Sequence, residues 1–258
     1  MENTKILASC STKGGCGKTT LIKYCGILAR KEGNRVLIID FCQNGDVATR
    51  LGHDYDSFTH YVQDWMQDNC SFQDAVYNDP KTGIHFMAAN KDTDKLVGYA
   101  QKKSTFKFYL ALKGKIETIK HHYDYIFIDT HPSEANPMTF MAMIAADLVM
   151  IPVELDYSAV GAMERTINML KESEELGAKG KYQIVVMNVD ITKRQSRLKE
   201  LYDYLEERGI KSYPMVQRSV HVEDADFDGK NINELDKKHA NKVMSQFEEV
   251  FKIVKAGL

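Results

Sequence analysis

The stretch Lys13-Gly14-Gly15-Cys16-Gly17-Lys18-Thr19-Thr20 sets three glycines, two lysines and two hydroxyl side chains within eight positions. Those types at that spacing suit the binding of phosphate. Glycine lets backbone N–H groups approach phosphate oxygens, and a helix starting behind the loop adds unpaired N–H groups and the positive end of its dipole. Lys18 contributes a point charge, and Thr19 a hydroxyl that can hold Mg²⁺. The run departs from G-x-x-x-x-G-K-[ST] at one place: Thr12 stands where the first glycine belongs, and Lys13 begins the run.

Two carboxylates belong with it. Arg35-Val36-Leu37-Ile38-Ile39-Asp40 and Tyr125-Ile126-Phe127-Ile128-Asp129 each read as a strand buried on both faces that ends in an acid. In an open α/β sheet a ligand sits beyond the carboxyl ends of the strands, which makes Asp40 and Asp129 candidates to hold Mg²⁺. The plainer alternative for Asp129 is a strand-end Asp that caps a turn.

The elements around these residues follow from periodicity. Lys5 to Cys10 reads as a short buried strand, and Leu21, Tyr24, Cys25 and Leu28 recur as on an amphipathic helix, so the glycine run lies between strand and helix. Further strands are expected at Gly83 to Ala88, Leu148 to Val153 and Tyr182 to Met187, with helices at Ala159 to Leu176 and Arg194 to Arg208. Around Tyr61 to Cys70 the character is mixed but helical. The lysine-bearing stretch from Lys91 to Lys120 reads as helix with a solvated face. A last helix turns Val243, Phe247, Val250, Phe251 and Val254 inward. Strands alternating with helices and no proline- or glycine-rich linker imply one doubly wound α/β domain over residues 1–258, its sheet mostly parallel with helices on both faces, and a helical insertion around 91–122.

Composition narrows the partners. A net charge of −2 over 258 residues excludes a basic coat, so contact with nucleic acid needs a local patch. Lys193, Arg194, Arg197 and Lys199 at the start of one helix, with Arg218 and Lys230, are the candidates; a charged helix face is more often simply solvated. The apolar run from Met138 to Val153 contains Asp147 and Pro152, which argues for helix, break and strand rather than a membrane span. The N-terminus lacks a basic leader pattern. Five cysteines, Cys10, Cys16, Cys25, Cys42 and Cys70, include no C-x-x-C pair, pointing to a reduced cytoplasmic setting without a zinc or disulfide framework.

Read together, the motifs resemble those of the ParA/MinD group of P-loop ATPases, whose deviant phosphate loop has the form K-G-G-x-G-K-T. The resemblance covers nearly the whole chain. Asp40-Phe41-Cys42-Gln43-Asn44-Gly45-Asp46-Val47-Ala48-Thr49 is similar to the D-L-D-P-Q-G-N-A-T of ParA-type partition ATPases. The Asp129 segment is similar to their Y-D-Y-I-I-I-D-T-P-P-S, and Ala145-Ala146-Asp147-Leu148-Val149-Met150-Ile151-Pro152-Val153 to their A-A-D-x-V-I-I-P-V. Val216-Gln217-Arg218-Ser219-Val220-His221 and Gly229-Lys230 are weaker matches to the later I-P-R-N-V-R and G-K.

The resemblance implies a P-loop fold of the ParA/MinD kind, ATP and Mg²⁺ as cofactors, and a homodimer formed on ATP binding, with Lys13 reaching the partner's nucleotide. It also implies non-specific DNA binding in the ATP state, a DNA-bound ParB-like adaptor, and a part in DNA partition. Metal ligands would be Thr19, Asp129 and Asp40; Asn188 would meet adenine unless it is only a turn residue. The group around hydrolysis would be Lys13, Lys18, Asp40, Cys42 and Asp46.

One departure bears on chemistry. At Cys42 the family has the second acid of D-x-D, which orients the attacking water. A thiol with an ordinary pKa near ~8.5 is mostly neutral and does not replace a carboxylate acceptor. Asp46, where the family has Asn, is the nearest spare carboxylate, so the sequence implies slow hydrolysis or hydrolysis rerouted through Asp46. His131, where the family has Pro, faces either the γ-phosphate or a partner, or is a loop histidine. The alternatives are a MinD-like membrane-associated positioning ATPase and a nucleotide-binding switch with little hydrolysis. No membrane partner is expected, because Phe247 to Leu258 reads as a core helix.

Overall fold

The computed structural model describes residues 4–102, 105–133, 136–154, 158–190, 195–209, 214–234 and 237–258. Its centre is a sheet of eight strands: β1 (Lys5–Ser9), β2 (Val36–Asp40), β3 (Tyr77–Asn78), β4 (His85–Met87), β5 (Tyr125–Asp129), β6 (Leu148–Glu154), β7 (Tyr182–Val189) and β8 (Met215–Gln217). Their order across the sheet is β3-β4-β2-β5-β1-β6-β7-β8. Every pairing is parallel except β3 with β4, so one two-residue antiparallel strand closes an otherwise parallel sheet.

Strand alternation sorts the apolar residues into two cores. Leu7, Ile38, Phe127 and Met150 point to one face and pack with α1 (Lys18–Lys31) and α12 (Lys237–Gly257). Ile6, Ala8, Leu37, Ile39, Ile126, Ile128 and Val149 point to the other. There they meet α7 (Ala111–Ile119), α8 (Pro137–Ala145), α9 (Ala159–Glu174) and α10 (Gln195–Glu207). Both faces are covered, which is why the strands read as unbroken apolar runs.

Helix α1 buries Leu21, Tyr24, Cys25 and Leu28 as the spacing requires, carries Arg30 and Lys31 in its last turn where the dipole favours cations, and stops before Gly33. Tyr24 stacks on Phe247 of α12 with ring centroids 4.5 Å apart. The five expected apolar residues of α12 are all buried, Val243 at 6 % exposure and the others at 2 % or less.

The region after β2 is built from short pieces. The helices are α2 (Asp46–Arg50), α3 (Val62–Met66) and α4 (Phe72–Ala75). The expected helix over 91–120 is divided into a 3-10 turn at Lys91–Asp94, α5 (Lys95–Lys102), α6 (Thr105–Tyr109), α7 and a 3-10 turn at Lys120–His122. Its lysines are not all solvated: Lys115 Nζ bonds Asp68 at 2.6 Å, donates to the Trp65 carbonyl and lies 5.2 Å from the Trp65 ring centroid. Helix α11 (Val220–Phe227) and strands β3 and β8 complete the elements. Among the described residues no helix is long and apolar enough to cross a membrane.

Candidate nucleotide site

Parallel pairing brings the strand ends to one edge. Asp40 and Ser9 are both register partners of Asp129, so β2, β5 and β1 end side by side. Beyond this edge lie the loop after β1, the segment after β2, Glu154 at the end of β6 and Asn188 near the end of β7. The residues picked from sequence for ATP and metal therefore converge at a single site.

The loop curls around its own carbonyl. Lys18 Nζ donates to the Lys13 carbonyl at 3.1 Å, and Cys16 Sγ approaches the same oxygen at 3.2 Å. Gly17 has φ +92°, and a Cβ there would stand 3.0 Å from Met187 Cε, so the turn into α1 needs glycine for both conformation and space. Helix α1 has no side-chain cap and no acid in its first turn, leaving its N–H groups and dipole to an anion.

Thr19 Oγ1 donates to Asp129 Oδ2 at 2.6 Å in a buried contact. Asp40 is likewise 0 % exposed; its Oδ1 accepts the Cys42 N–H at 2.7 Å and its Oδ2 the Val47 N–H at 3.1 Å. Burial, and after it the charge of Asp129, raises the Asp40 pKa. Burial also pushes Asp129 up to about 6 against the Thr19 hydrogen bond and the Lys18 charge. Two adjacent buried carboxylates and a hydroxyl beside a phosphate loop suit Mg²⁺, which takes few protein ligands and completes its shell with phosphate and water. Thr19 and Asp129 would hold it directly. Asp40 has one amide on each oxygen and acts at least as the anchor of the segment that follows.

Cys42 Sγ donates to Asp46 Oδ2 at 3.3 Å. Burial, then the Asp40 charge, raises the Cys42 pKa, so the thiol stays protonated and serves as a donor. His131 Nε2 lies 3.5 Å from Gln43 Nε2, while its buried Nδ1 has no hydrogen-bond partner among the described residues. Cys10 is buried and its pKa is raised by burial to about 12, which makes it a packing residue rather than a nucleophile. Asn188 has φ +56° at an irregularity in the β7–β8 pairing, a conformation Asn tolerates better than most residues.

Lys13 Nζ is 3.4 Å from Glu154 Oε2 of its own chain, with the two side chains 18 % and 30 % exposed. Of the expected basic patch, Lys193 and Arg194 and the side chain of Arg197 lie outside the described residues. Arg218 is paired with Glu223 at 2.9 Å and Lys230 with Asp228 at 2.8 Å, both on the exposed surface.

Sequence reasoning missed Glu154 and a buried polar cluster behind the loop. Asp226 of α11 accepts from Thr20 Oγ1 at 2.8 Å and Lys23 Nζ at 3.0 Å and is ion-paired with Arg50. Lys23 is 3 % exposed on the packed side of α1. A lysine set among Leu21, Ile22, Tyr24 and Cys25 was the one sequence signal available; its partner is 203 positions away.

A mostly parallel sheet with a glycine loop between β1 and α1, and acids ending its neighbours, defines the fold of the P-loop NTPases of the ParA/MinD kind. A family model described as an AAA domain, AAA_31, matches residues 4–184, and the chain belongs to this family. It is 30 % identical over 168 residues to the sporulation initiation inhibitor protein Soj of Bacillus subtilis (strain 168), a stretch covering 65 % of each chain. The match thus spans just under two thirds of Soj. With the chromosome partitioning protein ParA of Caulobacter vibrioides, identity is 28 % over 237 residues, covering 88 % of this chain and 86 % of that one. A solved complex of a Cyanothece McdA variant with ATP superposes with a TM-score of 0.86 at 21 % identity, covering 99 % of this chain and 98 % of the other.

Proposed function

We propose that the chain is an ATP-dependent dimerising switch that acts in DNA partition, for a plasmid, phage or mobile element. The observation that carries this reading is the convergence of the phosphate loop, the Thr19–Asp129 pair and Asp40 at one sheet edge. ATP would lie along the loop, with Lys18 and the first turn of α1 on its phosphates. Mg²⁺, held by Thr19 and Asp129, would neutralise charge on the β- and γ-phosphates. Asn188 would border the adenine. In the dimer Lys13 leaves Glu154 for the phosphates of the partner's nucleotide. The ATP dimer would bind DNA without sequence preference, through a basic surface that includes the start of α10. A DNA-bound adaptor would stimulate hydrolysis and release, so the energy difference between ATP and ADP states drives the cycle.

Hydrolysis in this reading runs through Asp46. Its carboxylate, held by the Cys42 thiol, accepts a proton or hydrogen bond from the attacking water, the task that the resemblance gives to an acid at position 42. Turnover is slow, because a weak thiol donor orients the acceptor less rigidly than a charge-assisted contact does. The Cys42–Asp46 contact also favours a second reading, a nucleotide-binding switch with little hydrolysis. ATP turnover of the wild type, Cys42→Asp and Asp46→Asn separates the two: slow turnover abolished by Asp46→Asn supports the first, and turnover indifferent to Asp46→Asn removes Asp46 from the mechanism. DNA affinity tests the switch itself. It should be highest with ATP and fall with salt; equal affinity with ATP, with ADP and without nucleotide refutes the partition reading. A MinD-like membrane role finds no support in α12, whose apolar residues are spent on the core.

A further inference from the structure

Helix α2 is five residues long, little more than one turn, and carries Asp46 at its first position and Arg50 at its last. So short a helix has no stability of its own in water, and its orientation must be imposed from outside. At the N-terminal end the tethers belong to the site already described: Val47 N–H on Asp40 and Asp46 on Cys42. The C-terminal end is held by something else. Arg50 Nη1 donates to Thr20 Oγ1 at 3.1 Å and is ion-paired with Asp226, which is 7 % exposed. Thr20, directly after Thr19, donates its hydroxyl hydrogen bond to the same Asp226 oxygen at 2.8 Å. Lys23, one turn further along α1, bonds the other Asp226 oxygen and the Lys230 carbonyl at 2.8 Å.

Backbone packing reinforces these bonds. A Cβ added at Gly52, just past α2, would meet the Gly229 carbonyl oxygen at 2.4 Å, and one added at Gly229 would meet Gly52 Cα at 2.3 Å. The two chain segments therefore touch without side chains between them. A single carboxylate thus joins the first turn of the phosphate-loop helix, the far end of the helix bearing Asp46, and α11.

We propose that Asp226 is a positioning residue for hydrolysis: by fixing Arg50 against Thr20 it sets the orientation of α2, and with it the Asp46 carboxylate, relative to the nucleotide phosphates. This rests on the reading of Asp46 as the water acceptor. Asp226 touches no reacting atom. Removing it should leave ATP seated while the acceptor at the other end of α2 drifts.

The test is a kinetic cycle with an independent structural arm, on the full chain. Asp226→Asn keeps the shape and removes the charge; Arg50→Lys keeps the charge and loses the planar fork. Each should lower kcat for ATP about tenfold with nucleotide affinity changed less than about twofold, because a group acting only in the transition state affects kcat and not binding. In an Asp46→Asn background Asp226→Asn should cause no further loss, since residues acting through one another are non-additive. An equal loss in both backgrounds, or a loss confined to nucleotide affinity, overturns the proposal. Hydrogen exchange of Asp226→Asn should show amides 46–52 exchanging faster while α1 stays protected; unchanged exchange in 46–52, or general deprotection, also overturns it. Should the wild type hydrolyse no ATP, the acceptor role of Asp46 falls on its own, and the exchange arm still decides whether Asp226 orients α2.

Discussion

At the scale of single residues, the proposed site divides into groups that would hold phosphate and metal and groups that hold other residues. Thr19 and Asp129 are bonded at 2.6 Å and buried, so they are pre-set for a small cation that demands close geometry. Thr19→Ala and Asp129→Asn should each weaken Mg²⁺-dependent ATP binding by about tenfold or more while leaving Mg²⁺-free nucleotide binding nearly unchanged, as calorimetric titration with and without the metal would show. These two residues were legible in the sequence because the motif that names them is local. Glu154 and Asp226 were not, because nothing within ten positions of either hints at Lys13 or Lys23; the pairings exist only after the sheet has formed. Cys42 is an intermediate case. Its type signalled a lost acid at once, but only the structure shows the thiol facing Asp46.

At the scale of elements, what decided legibility was length. The six strands expected from apolar runs all form, because a parallel strand covered on both faces cannot hide its composition. Strands β3 and β8, of two and three residues, lack the longer apolar run that made the equally short β4 visible within residues 83–88. Helix α11 escaped for another reason: its apolar residues follow no helical stripe, and Phe227 and Val220 are 90 % and 62 % exposed while Asp226 is buried. Its place is set by the ion pairs of Asp226 together with the small apolar contact of Ala225 and Val222. Helix α12 is the opposite case, held by apolar packing on α1. Replacing Phe247, 0 % exposed and stacked on Tyr24, should cost about 3–5 kcal/mol for Phe247→Ala, enough to lower the urea midpoint of unfolding severalfold more than a surface substitution. A cost under about 1 kcal/mol would mean that α12 contributes little to holding α1.

At the scale of the molecule, the proposed dimer would give Lys13 a choice between two partners, its own Glu154 and the nucleotide of a second copy. The intrachain pair is partly exposed, and such pairs contribute no more than about 1 kcal/mol. Glu154→Gln should therefore strengthen ATP-dependent dimerisation, but by no more than about fivefold, as read by light scattering across a concentration series. A weakened dimer would instead show that Glu154 aims Lys13. The bond from Thr20 to Asp226 has a consequence of a different kind, in time. It spans 206 positions and reaches past residue 184, where the family match ends. During synthesis the loop, Asp40, Asp129 and α2 all emerge before α11 does. Until α11 arrives, the Asp226 carboxylate that pairs with Lys23 and Arg50 is not yet in place. A nascent chain would gain its phosphate loop first and the contacts of Asp226 only after α11 has emerged.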